Sequence, residues 1–361
     1  MFERESFMRK LVTLGLVALL ASISGAGIAH RAANDNQPTE EDVEQLLNRV
    51  FQGLKSRDKE VRLQSAKALE KAGWVLAGTW ISVKNVLSDD PDAEVRHAAV
   101  RAVFQLGYAG ALTTPVLIDA LKDTDQRVRE AAAGALGEIV FSAKGAVPAL
   151  ILLLKDDDHK VRYRAVAALG SFGCAAKTAV PALIEMLKDK RLGQKVDLPG
   201  AESLRGAAAI CLARIGPDAR TALPALLELV KGDEDWRLQA NAMTALGTIG
   251  AEPEKVLPVL VEILKDQNRA ELRGPAARAL GEFRAKAKRY VPDLIKALDT
   301  TTVADRERAT FIQDMVLDAL GDIGPDAKEA IPQIEKITQD PATTGAVRHS
   351  ANRALQKIRD S

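Results

Sequence analysis

Arginine recurs at one place in a repeating pattern along this chain. Arg62, Arg96, Arg129, Arg162, Arg205, Arg273 and Arg348 are equivalent, with Gln239 and Gln313 at two further copies. Such a column could bind anions, because each guanidinium presents a rigid fork of donors to a carboxylate or phosphate. It could equally be neutralised from within. Four residues before the column stand Asp58, Asp92, Asp125, Asp158 and Asp235. These sit where a helix N-cap belongs and within reach of arginines in a stack of copies. The expectation is therefore a structural ladder, with Asp–Arg bracing between copies, rather than a ligand site.

Other chemistry finds little support. The histidines are His30, His97, His159 and His349. None has a second histidine or a cysteine at ligand spacing, so no metal site is assigned. Cys174 follows Gly173, and Cys211 stands in a column otherwise filled by alanine, which makes it a small core residue. Two thiols form no disulfide framework. Serine elbows, phosphate-cradling glycine loops and dinucleotide fingerprints are missing from the sequence. No catalytic or cofactor-binding residue is assigned, and no cofactor is expected. Lys plus Arg is 50 against 49 for Asp plus Glu. A neutral body lacks the electrostatic footprint of a nucleic-acid binder. The local basic run Arg284, Lys286, Lys288 and Arg289 lies between Glu282 and Asp293 and reads as a solvated loop.

The elements that carry these residues follow from the period. The first apolar residue of each second helix is Val61, Val95, Val128, Val161, Leu204, Leu238, Leu272, Ile312 and Val347. Most of these anchors lie 33 to 35 residues apart, but Leu204 follows Val161 by 43 and Ile312 follows Leu272 by 40. Seven residues after the anchor stands Ala, or Cys211, and Leu or Val follows it. Offsets 0, 4, 7, 8 and 11 share one helical face. Glycine often ends this helix (Gly173, Gly216, Gly250, Gly324), where a left-handed stop is needed. Proline opens most first helices, as at Pro148, Pro181 and Pro292, where the missing N–H costs nothing. Aromatics are only 4% of the chain, which suits thin helical layers. Each copy is a helix pair whose apolar faces only the next copy can cover.

The pattern P-A-L-I-x-x-L-K-D-x-D-x-x-V-R-x-x-A-A-x-A-L-G-x-I-G resembles the bacterial HEAT repeat, of the type also seen in phycobilisome lyases. The resemblance covers nearly everything after residue 38. It implies an all-α fold, a superhelical α–α solenoid of about nine HEAT-like helix pairs, preceded by an N-terminal apolar segment. It also implies that the Asp–Arg pair braces repeats. On function it is almost silent, since helical-repeat relatives include scaffolds, chromophore lyases, a metal-dependent hydroxylase and a DNA glycosylase. No histidine here is followed by Glu, so the His-Glu pairs of the hydroxylase are missing.

The remaining candidate site is the concave surface. Offsets 2 and 6 of the second helix point away from the buried arc. In three central repeats these are Tyr163, Ala167, Gly206, Ile210, Ala240 and Thr244, none of them charged. His97 and Arg101 stand on one flank. An uncharged floor between charged rims suits a partner helix or peptide. The alternative is that small residues merely serve tight curvature. Two insertions, at 190–203 and 299–308, fall in the turns between paired helices and mark either a binding edge or tolerated loop variation.

The N-terminus adds an address. Arg9 and Lys10 precede LVTLGLVALLASISGAGIA, nineteen uncharged residues with small-residue cleavage sites near its end, Ser24-Gly25-Ala26 or Gly27-Ile28-Ala29. Residues 1–29 therefore read as a signal peptide or a membrane anchor, with a membrane tether through residues 11–29 if uncleaved. Residues 30–38 form a polar tether and 39–361 the solenoid. The expected protein is an extracytoplasmic, non-catalytic scaffold or adaptor that binds a protein or peptide partner and no nucleic acid. A subunit of a lyase-like or other modifying enzyme complex is the alternative, and a nucleic-acid-binding repeat protein the third reading.

Overall fold

A computed structural model describes residues 48–72, 85–86, 89–105, 110–139, 144–198, 201–232, 235–300 and 303–360. The expected signal or anchor, the polar tether and the start of the first repeat lie outside the described residues. The chain divides into two compact units, the first ending at Ser171 and the second beginning at Phe172.

In the first unit, residues 48–54 are helical and bury Val50 and Leu54. The helices that follow are α1 (Lys59–Ala72), α2 (Ala93–Gln105), α3 (Gly110–Ala120), α4 (Gln126–Glu138), α5 (Val147–Leu153) and α6 (His159–Ser171). The second helices of the pairs are α1, α2, α4 and α6, and each packs on the next. In the second unit come α7 (Val180–Lys188), α8 (Leu204–Ile215), α9 (Leu223–Gly232), α10 (Trp236–Ile249), α11 (Pro253–Lys265) and α12 (Ala270–Glu282). They are followed by α13 (Val291–Ala297), α14 (Arg306–Ile323), α15 (Ile331–Gln339) and α16 (Gly345–Arg359). Here α8, α10, α12, α14 and α16 are the second helices, packed in series, each also against its own first helix. Nine second helices thus stand among the described residues, one for each anchor. The fold is an all-α HEAT-repeat solenoid.

The sequence columns explain the packing. Every residue of the Ala column is buried, from Ala68 at 0% exposed to Ala135 at 5%. At Ala168, Ala279, Ala319 and Ala354 its partner is a glycine of the preceding copy, two residues after that copy's own column position. A Cβ added to Gly281 would meet the Ala319 Cα at 2.7 Å, and one added to Gly137 would meet the Ala168 Cα at 3.0 Å. The A-L-G signature is therefore a two-sided device, with Ala from one helix and Gly from its neighbour meeting at backbone distance.

The anchors are buried at 3% exposure or less except Val61, which is 42% exposed. Proline begins the α-helical part at α5, α7, α13 and α15. Pro115 and Pro258 instead lie inside α3 and α11, because the preceding turn there continues as α-helix. The four glycines named as helix stops have positive φ, between 54° and 73°. In the equivalent turn after α12 the residue is Arg284, at φ 50°, a conformation that costs a side-chain-bearing residue energy. The 299–308 insertion is only partly a loop, since Arg306–Arg308 extend α14 by most of a turn.

Candidate functional site

The arginine column makes two kinds of bond. One runs to main-chain carbonyls of its own repeat: Arg129 Nη1 donates to the Asp123 carbonyl at 2.8 Å and Arg162 Nη1 to the Asp157 carbonyl at 3.0 Å. Arg348 does the same to Asp340 at 3.0 Å. The other kind joins repeats. Arg62 Nε donates to Asp90 at 2.7 Å, Arg96 Nε to Asp123 at 2.7 Å and Arg129 Nε to Asp156 at 2.7 Å. The second nitrogen of each fork reaches the other carboxylate oxygen, so all three pairs are bidentate.

The carboxylates are not the expected ones. Asp58, Asp92, Asp125 and Asp158 cap their helices, accepting from Glu60, Glu94, Arg127 and Lys160 N–H groups at 2.8 to 2.9 Å. Asp92 also meets Lys59 at 3.0 Å. Asp90, Asp123 and Asp156, two residues before the next copy's cap, take the arginines instead. The cap carboxylate holds its own helix end, and the earlier aspartate faces the guanidinium of the preceding repeat while also accepting the N–H two residues on. The D-x-D spacing of Asp90-Asp92, Asp123-Asp125 and Asp156-Asp158 was the available signal. Burial pushes the Asp123 and Asp156 carboxyls up, but Arg96 and Arg129, with the N–H groups of Asp125 and Asp158, hold both below the ordinary carboxylate value. The Arg127 side chain holds Asp125 at about 2.

In the second unit the column bonds to main-chain carbonyls at the ends of its own first helices. Arg205 Nε donates to the Leu187 carbonyl at 2.8 Å, and Arg273 Nε to the Leu264 carbonyl at 3.1 Å. Gln239 reaches Val230 at 2.9 Å and Gln313 reaches Leu298 at 3.1 Å. Each closes the end of its own first helix, where carbonyls lack intrahelical partners. Arg273 is 1% exposed, and burial lowers its pKa.

The expected concave residues fall in both units. In the first, Tyr163 is half-buried and Ala167 exposed on α6. In the second, Ile210, Ala240 and Thr244 are half-buried. Gly206 is buried, against the expectation, because Asn241 of α10 lies 3.3 Å from where its Cβ would be. Thr244 and Thr248 hydroxyls donate to carbonyls of their own helix at 3.0 and 3.1 Å, while the buried Asn241 Nδ2 beside Ala240 has no hydrogen-bond partner among the described residues. Two exposed aromatics, Trp236 and Phe311, carry no periodic signal in the sequence. Trp236 is 42% exposed with Arg237 4.8 Å from its ring centre. Phe311 is 46% exposed and lies over Gly274, whose added Cβ would come 2.6 Å from the ring. Their positions just before the anchor put them on the solvent side of the helix start.

His97 and Arg101, expected only at the rim, line a solvent-open cleft of the first unit. They wall this cleft of about 400 Å³ on the faces of α2, α4 and α6, with Arg127, Glu130, Glu138 and Arg164. Arg101 Nε donates to Glu70 at 2.7 Å, Arg127 Nε to Asp125 at 3.1 Å, and Arg164 Nε to Glu130 at 3.3 Å. Burial, together with Arg101 and Arg127, lowers the His97 pKa, so the ring is neutral at pH 7.

Reactive groups are quiet. Burial pushes the Cys211 thiol up to about 12. Cys174 is exposed, and both cysteines are free. Among the described residues no three metal-ligating side chains cluster, and no helix is long and apolar enough to cross a membrane. In the basic run, Lys288 is paired with Asp326 at 2.6 Å and Arg289 stacks on Tyr290. The 190–203 insertion is pinned by an antiparallel bridge between Lys195 and Ser203 and by Arg191 on Asp189 at 2.7 Å.

A family model for HEAT repeats matches residues 82–140, 114–194, 200–281 and 223–315. The chain belongs to the HEAT-repeat family. Among solved structures it is similar to an engineered protein, at 21% identity and TM-score 0.54, over 95% of this chain and 98% of that one. It is also similar to importin beta, at 18% identity and TM-score 0.63, over 94% of this chain and 50% of that one. This HEAT-repeat chain therefore spans about half the length of importin beta. Its likeness to the CpcE–CpcF complex of phycocyanin lyase from Nostoc is 22% identity at TM-score 0.38, over 78% of this chain and 95% of that one. These likenesses speak to the fold alone. No curated protein matches the sequence.

Proposed function

We propose that this HEAT-repeat chain is a non-catalytic scaffold or adaptor that holds a protein partner against its second helices. The observation that carries this reading is the cleft walled by His97 and Arg101. It is open to solvent, bordered by charged side chains with hydrogen-bonding capacity left, and free of any activated nucleophile. Export, with residues 1–29 cleaved or kept as an anchor, belongs to the same proposal and rests on the charge and hydropathy pattern of that segment. The half-buried Tyr163 and Ile210 and the exposed Trp236 and Phe311 offer the apolar contact that anchors such interfaces.

Site-specific photo-crosslinking in cells tests the surface. Probes at Arg101, Tyr163 and Ile210 are expected to trap a common protein, and probes at Leu152 and Glu185 on first helices to trap none. Trapping only from the first helices or from 190–198 would move the binding site to that face or edge. Mass spectrometry of the native protein tests export: a new N-terminus between Ala26 and Ala32, or intact protein in the membrane fraction, is expected. Intact protein found solely in the soluble cytoplasmic fraction would overturn it.

A further inference from the structure

The cleft in the first unit has a chemistry of its own. Arg101 enters from α2 and Arg127 from α4. Two nitrogens of Arg101 meet Glu70 Oε1, at 2.7 and 2.5 Å, and two of Arg127 meet Asp125, at 3.1 and 2.9 Å. A guanidinium has five N–H donors. These contacts fix the orientation of each fork without exhausting its donors, and the two side chains are 57% and 55% exposed. Between them His97 is neutral and half-buried, and Phe104 and Ala131 give the cleft an apolar part. A second cleft of about 350 Å³ lies beside the first and shares His97 and Arg101, with Lys67, Lys71, Glu70 and Glu94 on its border and Lys67 3.9 Å from Glu94. The pair of clefts makes a track that continues from one repeat to the next.

We propose that this track receives an acidic, extended peptide segment of the partner, with a carboxylate side chain on Arg101 and Arg127 and an apolar neighbour against Phe104. The proposal rests on the scaffold reading and adds the partner's chemistry. Pre-oriented guanidiniums bind carboxylates in two-point fashion and lose little rotamer freedom on doing so. A nucleic acid fits less well. Glu130 and Glu138 line the same cleft, and a polyanion with a charge every ~1.7 Å would lay phosphates on them. A peptide can place its carboxylates on the arginines and leave uncharged residues beside the glutamates.

The test is selection of random twelve-residue peptides displayed on phage against the immobilised full chain. Enriched sequences are expected to carry Asp or Glu next to an apolar residue. The strongest is then synthesised with capped ends and titrated by calorimetry. Its version with Asn and Gln in place of the acids should bind about tenfold more weakly or worse, and so should the acidic peptide to the Arg101→Gln, Arg127→Gln double variant. Both arginines are exposed, so the double variant should stay folded, melting lower only by the loss of the Arg101–Glu70 and Arg127–Asp125 surface pairs. If it does not, Arg101→Gln alone carries the expectation, at about threefold. Enrichment without acidic preference that still depends on Tyr163 would sink this inference and leave the scaffold reading standing. Failure to enrich any peptide, or tighter binding of a twelve-residue oligothymidylate than of the acidic peptide, would also overturn it.

Discussion

In the first unit Arg62, Arg96 and Arg129 each join two repeats through a carboxylate that also shapes the next turn, since Asp90, Asp123 and Asp156 accept the N–H two residues on at 2.8 to 3.0 Å. In the second unit the same column holds Gln239 and Gln313, and their bonds end on main-chain carbonyls within the repeat. The shared requirement is a long donor that satisfies the end of the first helix. The carboxylate bridge is an addition, made where the turn supplies D-x-D. A neutral amide meets the shared requirement and cannot make the addition. The second-helix faces differ in parallel: a cleft walled by paired arginines in the first unit, and in the second the exposed aromatics Trp236 and Phe311 alongside ion pairs such as Arg308–Glu271 and Lys357–Asp322.

This contrast can be broken most directly at the column. Arg129→Ala should cost about 2–3 kcal/mol, because it strands Asp156 in a partly buried seam as well as removing carbonyl bonds. Arg273→Gln in the second unit should cost under about 1 kcal/mol, since Gln239 and Gln313 already do that work. Chemical denaturation of both variants checks the pair, and equal losses would mean that the carboxylate bridge adds nothing.

The close seam should be common to both units. Gly281→Ala would put a Cβ 2.7 Å from the Ala319 backbone, and forced separation of α12 and α14 should cost about 1–3 kcal/mol. Gly137→Ala, with 3.0 Å to Ala168, should cost somewhat less. Thermal melts of the two variants give the ranking.

Acid should separate the units. Asp123, Asp125 and Asp156 have folded pKa values below their unfolded ones. Their stabilisation is therefore complete above pH ~4 and is lost as pH falls through the folded values, toward about 2 for Asp125. Asp314 in the second unit is shifted the other way, raised by burial, so protonation there favours the folded state. Hydrogen exchange between pH 4 and pH 2 should show α2 and α4 losing protection before α12 and α14. Simultaneous loss would count against the bridges as the acid-sensitive element. The smallest effect is expected at Arg284, where glycine would relieve the positive φ and raise stability by about 1 kcal/mol or less, read as a higher melting temperature.

Much of the fold is legible in the sequence because its determinants are local and repeated. Anchor spacing, the Ala column, the glycine stops and the aspartate caps each act within one helix or turn, and nine copies separate signal from accident. The site was legible only in part. Helical offset places His97 and Arg101 on the face away from the buried arc, where they line the cleft. Their union with Arg127 and Arg164 in one cleft depends on how far neighbouring helices stand apart, which no single helix encodes.

The amino-acid sequence by itself determined the helix pairs, their number and the face each second helix buries, since periodicity and backbone preference operate over a few residues. Tertiary structure decided the rest. It chose Asp90, Asp123 and Asp156 over the capping aspartates as the partners of the arginines, because that choice depends on which carboxylate the neighbouring repeat's guanidinium faces; the cap Asp92 meets Lys59 instead. It buried Gly206 under Asn241 and left Val61 exposed, because burial depends on what the neighbouring element places there and not on the offset within a repeat.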